Sequence, residues 1–164
     1  MPQLNRLSDT LIEQVLALAN ASARRRANFN FHSESDTLQR MLNVMLRGTY
    51  CAPHKHQEPD KLEIFTALRG EVAIARFDDE GRLLEAVRIS QHGPIRQVEI
   101  PPRTWHTVVV LSPEAVLYEV IEGMYDPATH KRFAPFAPGE KNPAAAEYLR
   151  DLEERVRLLS TQTA

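Results

Sequence analysis

The sequence holds a single cysteine, Cys51, among 164 residues, so an internal disulfide is excluded and a reducing compartment is expected. Charge of neither sign is in excess: 20 Lys and Arg stand against 22 Asp and Glu, for a formal net charge of −2. Without a global positive field, neither nucleic acid nor an anionic membrane is expected as a partner. No apolar run approaches the roughly 20 residues that a membrane-spanning helix requires, and mean hydropathy is −0.38. Met1 is followed by the polar stretch Pro2 to Arg6 rather than by a basic and then apolar leader, so a soluble cytoplasmic protein is expected. A Gly-rich phosphate loop, a nucleophile elbow and a dinucleotide fingerprint are also missing. Nucleotide hydrolysis, serine-type acyl transfer and NAD chemistry therefore lack a basis in the sequence.

What is present fits one core. With 43% hydrophobic and 26% charged residues, the chain reads as a single domain over 1–164, with no repeat or linker. After the capping candidates Ser8 and Asp9, Leu11, Ile12, Val15, Leu16 and Leu18 recur at helical spacing, which predicts an N-terminal helix within 1–23. Asn142-Pro143 offers an N-cap and first-turn proline. Tyr148, Leu149, Leu152, Val156 and Leu159 then predict a C-terminal helix over 142–160. Between them, short runs rich in Val, Ile, Phe and Tyr, near 41–47, 62–68, 71–77, 83–89, 96–100, 105–111 and 115–121, predict a β-barrel over 38–122. Phe77 to Arg82 reads as a hairpin turn and Arg69-Gly70-Glu71 as a tighter break, so successive strands are expected to be antiparallel neighbours. Several strands, such as Ile64 to Leu68 and Thr107 to Leu111, are apolar on both faces. One face can fill a barrel while the other needs cover from a helix, a sheet or a second subunit, and a homodimer is expected.

The chemistry concentrates in His54-Lys55-His56, Glu63 and His106. In an extended segment residues two apart point to one side, so His54 and His56 form a chelating pair. Phe65 and Ala67 share the face of Glu63, which aims its carboxylate into an apolar interior, where an unpaired charge is costly. Three imidazoles and one carboxylate converging there would satisfy one another through one divalent transition metal, with Fe, Zn, Mn and Ni all compatible. The alternative carboxylates Glu58 and Asp60 lie in a loop around Pro59 and are expected to be solvated. Cys51, three residues from His54, is expected on the opposite strand face as a small buried side chain. Trp105 is expected to face away from the metal and pack.

These residues carry a family resemblance. Gly48, His54-x-His56, Glu63 and Gly70 resemble the first cupin motif, and Pro101-x-Arg103-x-x-His106 resembles the second, with Arg103 where Gly is usual and Val110 where Asn is usual. A resemblance along nearly the whole chain, through Arg24 to Arg26, Gln39 to Asn43, Phe77 to Gly81, Trp105 to Val109, Glu119 to Tyr125 and Phe133 to Pro138, is to the WbuC family of cupin-fold metalloproteins, named from bacterial O-antigen gene clusters. Gly123-Met124-Tyr125 stands where that family more often has Gly-Pro-Tyr, and Phe136 where it more often has Trp. The resemblance implies a mainly β fold, a cupin (double-stranded β-helix or jelly-roll barrel) with flanking N- and C-terminal α-helices, and a metal held by His54, His56, Glu63 and His106.

Around that site, Arg24 and Arg26 are candidates for an anionic substrate group, because arginine forks suit phosphate and carboxylate. Tyr50 and Tyr125 are candidates for the pocket mouth. His32, His92 and His130 lack ligand spacing and read as ordinary surface or hydrogen-bonded histidines. The leading expectation is a metal-dependent enzyme, of oxygenase or isomerase type, acting on a small polar molecule such as a saccharide or sugar-nucleotide derivative of O-antigen synthesis. The competing readings are a non-catalytic metal-dependent binding or sensing module, an Fe(II) dioxygenase of an unrelated metabolite, and a metal-free assembly protein.

Overall fold

The structure is a computed structural model that describes residues 4–160. Helix α1 (Asp9–Ala21) is followed by strands β1 (Arg26–Asn30), β2 (Leu38–Leu46), β3 (His54–Lys55), β4 (Glu63–Arg69), β5 (Glu71–Phe77), β6 (Leu83–Ser90), β7 (Gln97–Ile100), β8 (Trp105–Val110), β9 (Glu114–Glu122) and β10 (Arg132–Phe133), and by helix α2 (Ala145–Ser160). The strands form two five-stranded sheets, in the orders β1-β2-β9-β4-β7 and β10-β3-β8-β5-β6, with antiparallel pairing throughout.

The expected succession of neighbouring strands holds only in part. Among consecutive strands, β1–β2 and β5–β6 pair; elsewhere the chain crosses from one sheet to the other, as a jelly roll requires. Asp78 caps the β5–β6 hairpin by accepting from the N–H groups of Glu80 and Arg82. Arg69-Gly70-Glu71 is instead such a crossing. Gly70 has φ of +72° and packs against the backbone of Glu114 and Ala115, so the corner depends on a residue with no Cβ.

Strand alternation sorts the side chains into three clusters. Between the sheets lie Met45, Phe65, Ala67, Val72, Ile74, Val108, Val110, Ala115 and Leu117. On the outer face of the first sheet, α1 lays Ile12, Val15 and Ala19 over Leu42, Val44 and Val116. On the outer face of the second, Leu152 and Val156 of α2 cover Ala73, Ala75, Phe77, Trp105 and Val109. The chain's own helices thus close both apolar outer faces, and those faces carry no argument for a second copy.

The sequence boundaries shift. α1 starts at Asp9, where the Ser8 hydroxyl accepts from the N–H of Leu11; residues 4–8 are not helical, and 1–3 of the expected 1–23 helix lie outside the described residues. α2 starts at Ala145, after a first turn capped as expected by Asn142, whose Oδ1 accepts from the N–H of Ala144 and whose carbonyl accepts from that of Ala145. The short strands β1, β3 and β10, unforeseen because polar or very brief, complete the two sheets. No helix among the described residues is long and apolar enough to cross a membrane.

Replacing Gly70 with alanine would force a Cβ into the Glu114 carbonyl at a left-handed backbone position. A loss of about 3 kcal/mol is expected in denaturant unfolding; an unchanged midpoint would show that the sheet crossing tolerates a side chain.

Candidate metal centre

Pro53 has no N–H to give a ladder, and the chain from Cys51 to Pro53 is irregular, so β3 is only two residues long. Its first residue, His54, lies directly opposite His106 of β8. His56 follows just past the strand, held where its carbonyl accepts from the N–H of Arg103 at 2.9 Å. Arg103 has φ of +64°, which explains why glycine is usual at that point of the second motif. Glu63 opens β4 between Ile100 and Ile121. Four residues from three strands and one loop therefore meet at one end of the barrel.

Their donor atoms all lie within 4.8 Å of one another, and none of the four residues is more than 5% exposed. Each imidazole is anchored by Nδ1. His54 Nδ1 donates to the carbonyl of Ala52 at 3.1 Å, His56 Nδ1 to that of His130 at 2.6 Å, and His106 Nδ1 to that of Thr104 at 2.8 Å. A backbone carbonyl can only accept, so every Nδ1 carries a proton and every ring turns its Nε2 inward, where a metal would take the place of any Nε2 proton. His54 Nε2 and Glu63 Oε1 are buried without a hydrogen-bond partner. His106 Nε2 stands 2.7 Å from Glu63 Oε2 but out of hydrogen-bonding alignment, and His56 Nε2 is 3.2 Å from the same oxygen. Buried acceptors crowded around one point fit a cation, and the outer carbonyls supply the usual second shell of histidine ligands.

The protonation states agree. Burial, followed by the charge of Lys131 and the neighbouring His106, holds His54 well below the usual histidine range. For Glu63 burial acts upward, but His106 and His56 outweigh it and hold the carboxyl well below its ordinary value. A neutral imidazole at His54 and an ionised carboxylate at Glu63 are the forms that bind a metal.

The centre opens into a cavity of about 450 Å³ whose wall includes Asn43, His54, Glu119, Tyr125, His130 and Lys131. Of the mouth candidates, Tyr125 is there, 38% exposed, with its ring 5.0 Å from that of His130. Tyr50 is not: its hydroxyl donates to the Pro138 carbonyl and its ring packs on Tyr148, in a separate cleft beside α2. Arg24 and Arg26 border the cavity but both pair with Glu140, and Arg26 also donates to Thr49 and to the Tyr50 carbonyl. They tie β1 to the segment before α2. Cys51 is on the cavity side with His54, against expectation, because the irregular backbone around Pro53 breaks the alternation. Trp105 faces outward as expected, donating to Asp79 and packing on Phe136. Asp60 pairs with Arg103, and neither it nor Glu58 joins the donor cluster.

Four wall residues escape a reading by motif. Glu119 is 6% exposed on β9 and accepts from Asn43 of β2; burial, and then the nearby Glu63 charge, push its carboxyl well above the ordinary value. Its signal was in the sequence: a lone carboxylate in the inward row Ala115, Leu117, Glu119, Ile121. His130 supplies the carbonyl that holds His56, and burial and then Lys131 depress its own ring to about 3. It and Lys131 lie in the loop before β10, where no periodicity could mark them.

The sheets and this buried donor set define a cupin-fold protein with a site able to hold a metal ion. Residues 7–89 match the family described as a domain of unknown function (DUF6016), and the chain belongs to that family. No curated protein matches. Among solved structures, an oxalate oxidase in complex with the substrate analogue glycolate aligns with a TM-score of 0.55 and 16% identity, over 88% of this chain and 75% of the other. The capsular polysaccharide assembling protein CapF from Staphylococcus aureus aligns with a TM-score of 0.53 and 22% identity over 65% of this chain, which spans only 31% of CapF. These likenesses establish the mainly β jelly-roll barrel.

Elemental analysis of untagged protein is expected to find about one transition-metal ion per chain, reduced to trace in folded His106→Ala. Negligible metal after anaerobic reconstitution would reject the centre. In metal-free protein, His54 and His130 take up protons only once unfolded as pH falls below the ordinary histidine value of 6.5. On these two groups the unfolded state then binds more protons, so stability falls from about pH 6.5 towards 3, an effect that Glu119, one carboxyl raised in the fold, offsets only in part. Urea midpoints should drop between pH 7 and 5; a flat or rising profile would contradict neutral burial of these rings.

Proposed function

We propose that this chain is a divalent-metal-dependent enzyme acting on a small polar substrate. The observation that carries the reading is the set of three Nδ1-anchored imidazoles whose Nε2 atoms converge with Glu63 beneath a cavity of substrate size. A structural site would be closed on all sides, whereas this one adjoins a cavity. Bound there, the ion would supply Lewis-acid polarisation of a hydroxyl or carbonyl oxygen, or with iron a place for dioxygen. The chain's own residues do the rest: the carbonyls of Ala52, His130 and Thr104 orient the rings, the apolar layer of Phe65 and Val108 keeps bulk water from the barrel side, and Asn43 and Glu119 offer hydrogen bonds to a substrate.

The substrate class we infer is a saccharide or sugar-nucleotide derivative of surface polysaccharide synthesis, in the cytoplasm. Its support is the resemblance to the WbuC family, together with the naming of CapF, a fold relative, as a capsular polysaccharide assembling protein.

The test is incubation of metal-reconstituted protein with a panel of free and nucleotide-linked sugars, read by mass spectrometry and NMR. Conversion that needs metal and falls by at least about 100-fold in folded His54→Ala and His106→Ala is expected. Saturable binding without any product, in protein carrying its full metal, would replace the enzyme with a binding or sensing module.

A further inference from the structure

The cavity above the donor cluster is not electrically even. Its wall carries the cations Arg24, Arg26 and Lys131 and the carboxylates Glu34, Glu119 and Glu140. Arg24 and Arg26 are occupied by Glu140, at 3.1 and 2.5 Å. Glu34 is at the exposed rim. Lys131 is different: it is half-buried, borders the cavity, and has no hydrogen bond or ion pair among the described residues. It lines the same cavity as His54, Glu119 and His130. A cavity-lining lysine without an ion pair leaves its ammonium available to an anionic ligand.

Two further observations point the same way. Three imidazoles binding as neutral ligands and one carboxylate would leave a divalent ion with a net positive charge, so with metal bound the floor of the cavity would add to the field of Lys131 rather than cancel it. Facing that positive side, Asn43 and Glu119 are joined by a hydrogen bond and present an amide and a carboxyl edge to the same space. Such a pair accepts and donates to hydroxyl groups but repels nothing neutral. The wall therefore combines one anion seat with one hydroxyl seat.

We propose that the ligand of this cavity is a small hydroxycarboxylate, such as a sugar acid, with its carboxylate on Lys131 and its hydroxyls on Asn43 and Glu119. This rests on the metal-site reading above and narrows its substrate class. Lys131 is the residue that distinguishes an acid from the neutral polyol of the same size.

Calorimetric titration of zinc-reconstituted protein with D-gluconate against D-glucitol, and with D-glucuronate against D-glucose, tests it. Each acid is expected to bind at least about tenfold tighter than its neutral counterpart. Lys131→Gln is expected to bring the two within about twofold, and Lys131→Arg to keep most of the difference. No preference in the wild type, including no binding of either probe, overturns the proposal. So does a preference that survives Lys131→Gln, or that Lys131→Arg abolishes equally. Zinc is measured on the same samples. Zinc at one per chain without acid preference fails the Lys131 assignment alone, whereas acid preference without zinc fails the metal reading and leaves Lys131 standing.

Discussion

Three hydrogen bonds from histidine Nδ1 to backbone carbonyls govern this molecule's chemistry. An imidazole buried in a barrel can rotate or exchange tautomers, and either change would point a proton instead of a lone pair at the centre. The carbonyls of Ala52, Thr104 and His130 remove that freedom. Two of the three lie two residues before their own histidine, so the local backbone sets the ring directly. The third comes from a segment 74 residues away. That loop is tied to the sheet because β10 pairs with β3 and places Phe133 opposite His54. The minor strand β10 therefore bears on the orientation of His56, although it contributes little to the core.

The two-sheet architecture makes such convergence possible. His54 and His106 belong to one sheet and Glu63 to the other, and the sheets face each other across a filling of Val, Ile, Leu, Ala, Met and Phe side chains. Along β4 the inward row runs Glu63, Phe65, Ala67, and along β8 it runs His106, Val108, Val110. Polarity changes to apolarity within one pleat on both strands. The barrel is thus divided into a dry end, which supplies the stability, and a polar end, which concentrates every buried donor the fold must satisfy. The outer clusters beneath α1 and α2 leave the polar end untouched, since both helices pack on outer faces.

Much of this was legible from spacing. His54-x-His56, the inward face shared by Glu63, Phe65 and Ala67, and the outward turn of Trp105 are all consequences of period-two alternation, and alternation holds on β4 and β8. It failed at Cys51, because Pro53 interrupts the ladder and the residues before it leave the pleated geometry. Pairing partners were a different matter. A sharp break at Gly70 looks the same in sequence whether the chain reverses beside itself or passes to the opposite sheet, and only long-range packing decides. Tyr50, Arg24 and Arg26 were drawn to other partners by Pro138 and Glu140, which lie more than 80 residues away in the chain. No local pattern encodes such ties. His130 and Lys131 are the converse case: irregular residues brought to the cavity by where the loop must end.

Glu63 and Glu119 show how one barrel can hold two carboxyls in opposite states. Both are almost completely excluded from water, and burial alone would protonate each of them. The difference lies in their neighbours. Glu63 has His106 at 2.7 Å and His56 at 3.2 Å, and the positive charge and N–H groups of these rings, where protonated, favour the ionised form. Glu119 is opposed in its ionisation by burial and by the negative charge of Glu63, which together outweigh the opposite pull of Lys131 and of the Asn43 amide. Each state reinforces the other: the more firmly Glu63 is ionised, the more firmly Glu119 keeps its proton. The outcome is one carboxylate committed to the donor cluster and one carboxyl, on the cavity wall, whose hold on its proton is strengthened. That division of labour follows from the polar groups each side chain meets inside the barrel, not from any difference between the two side chains themselves.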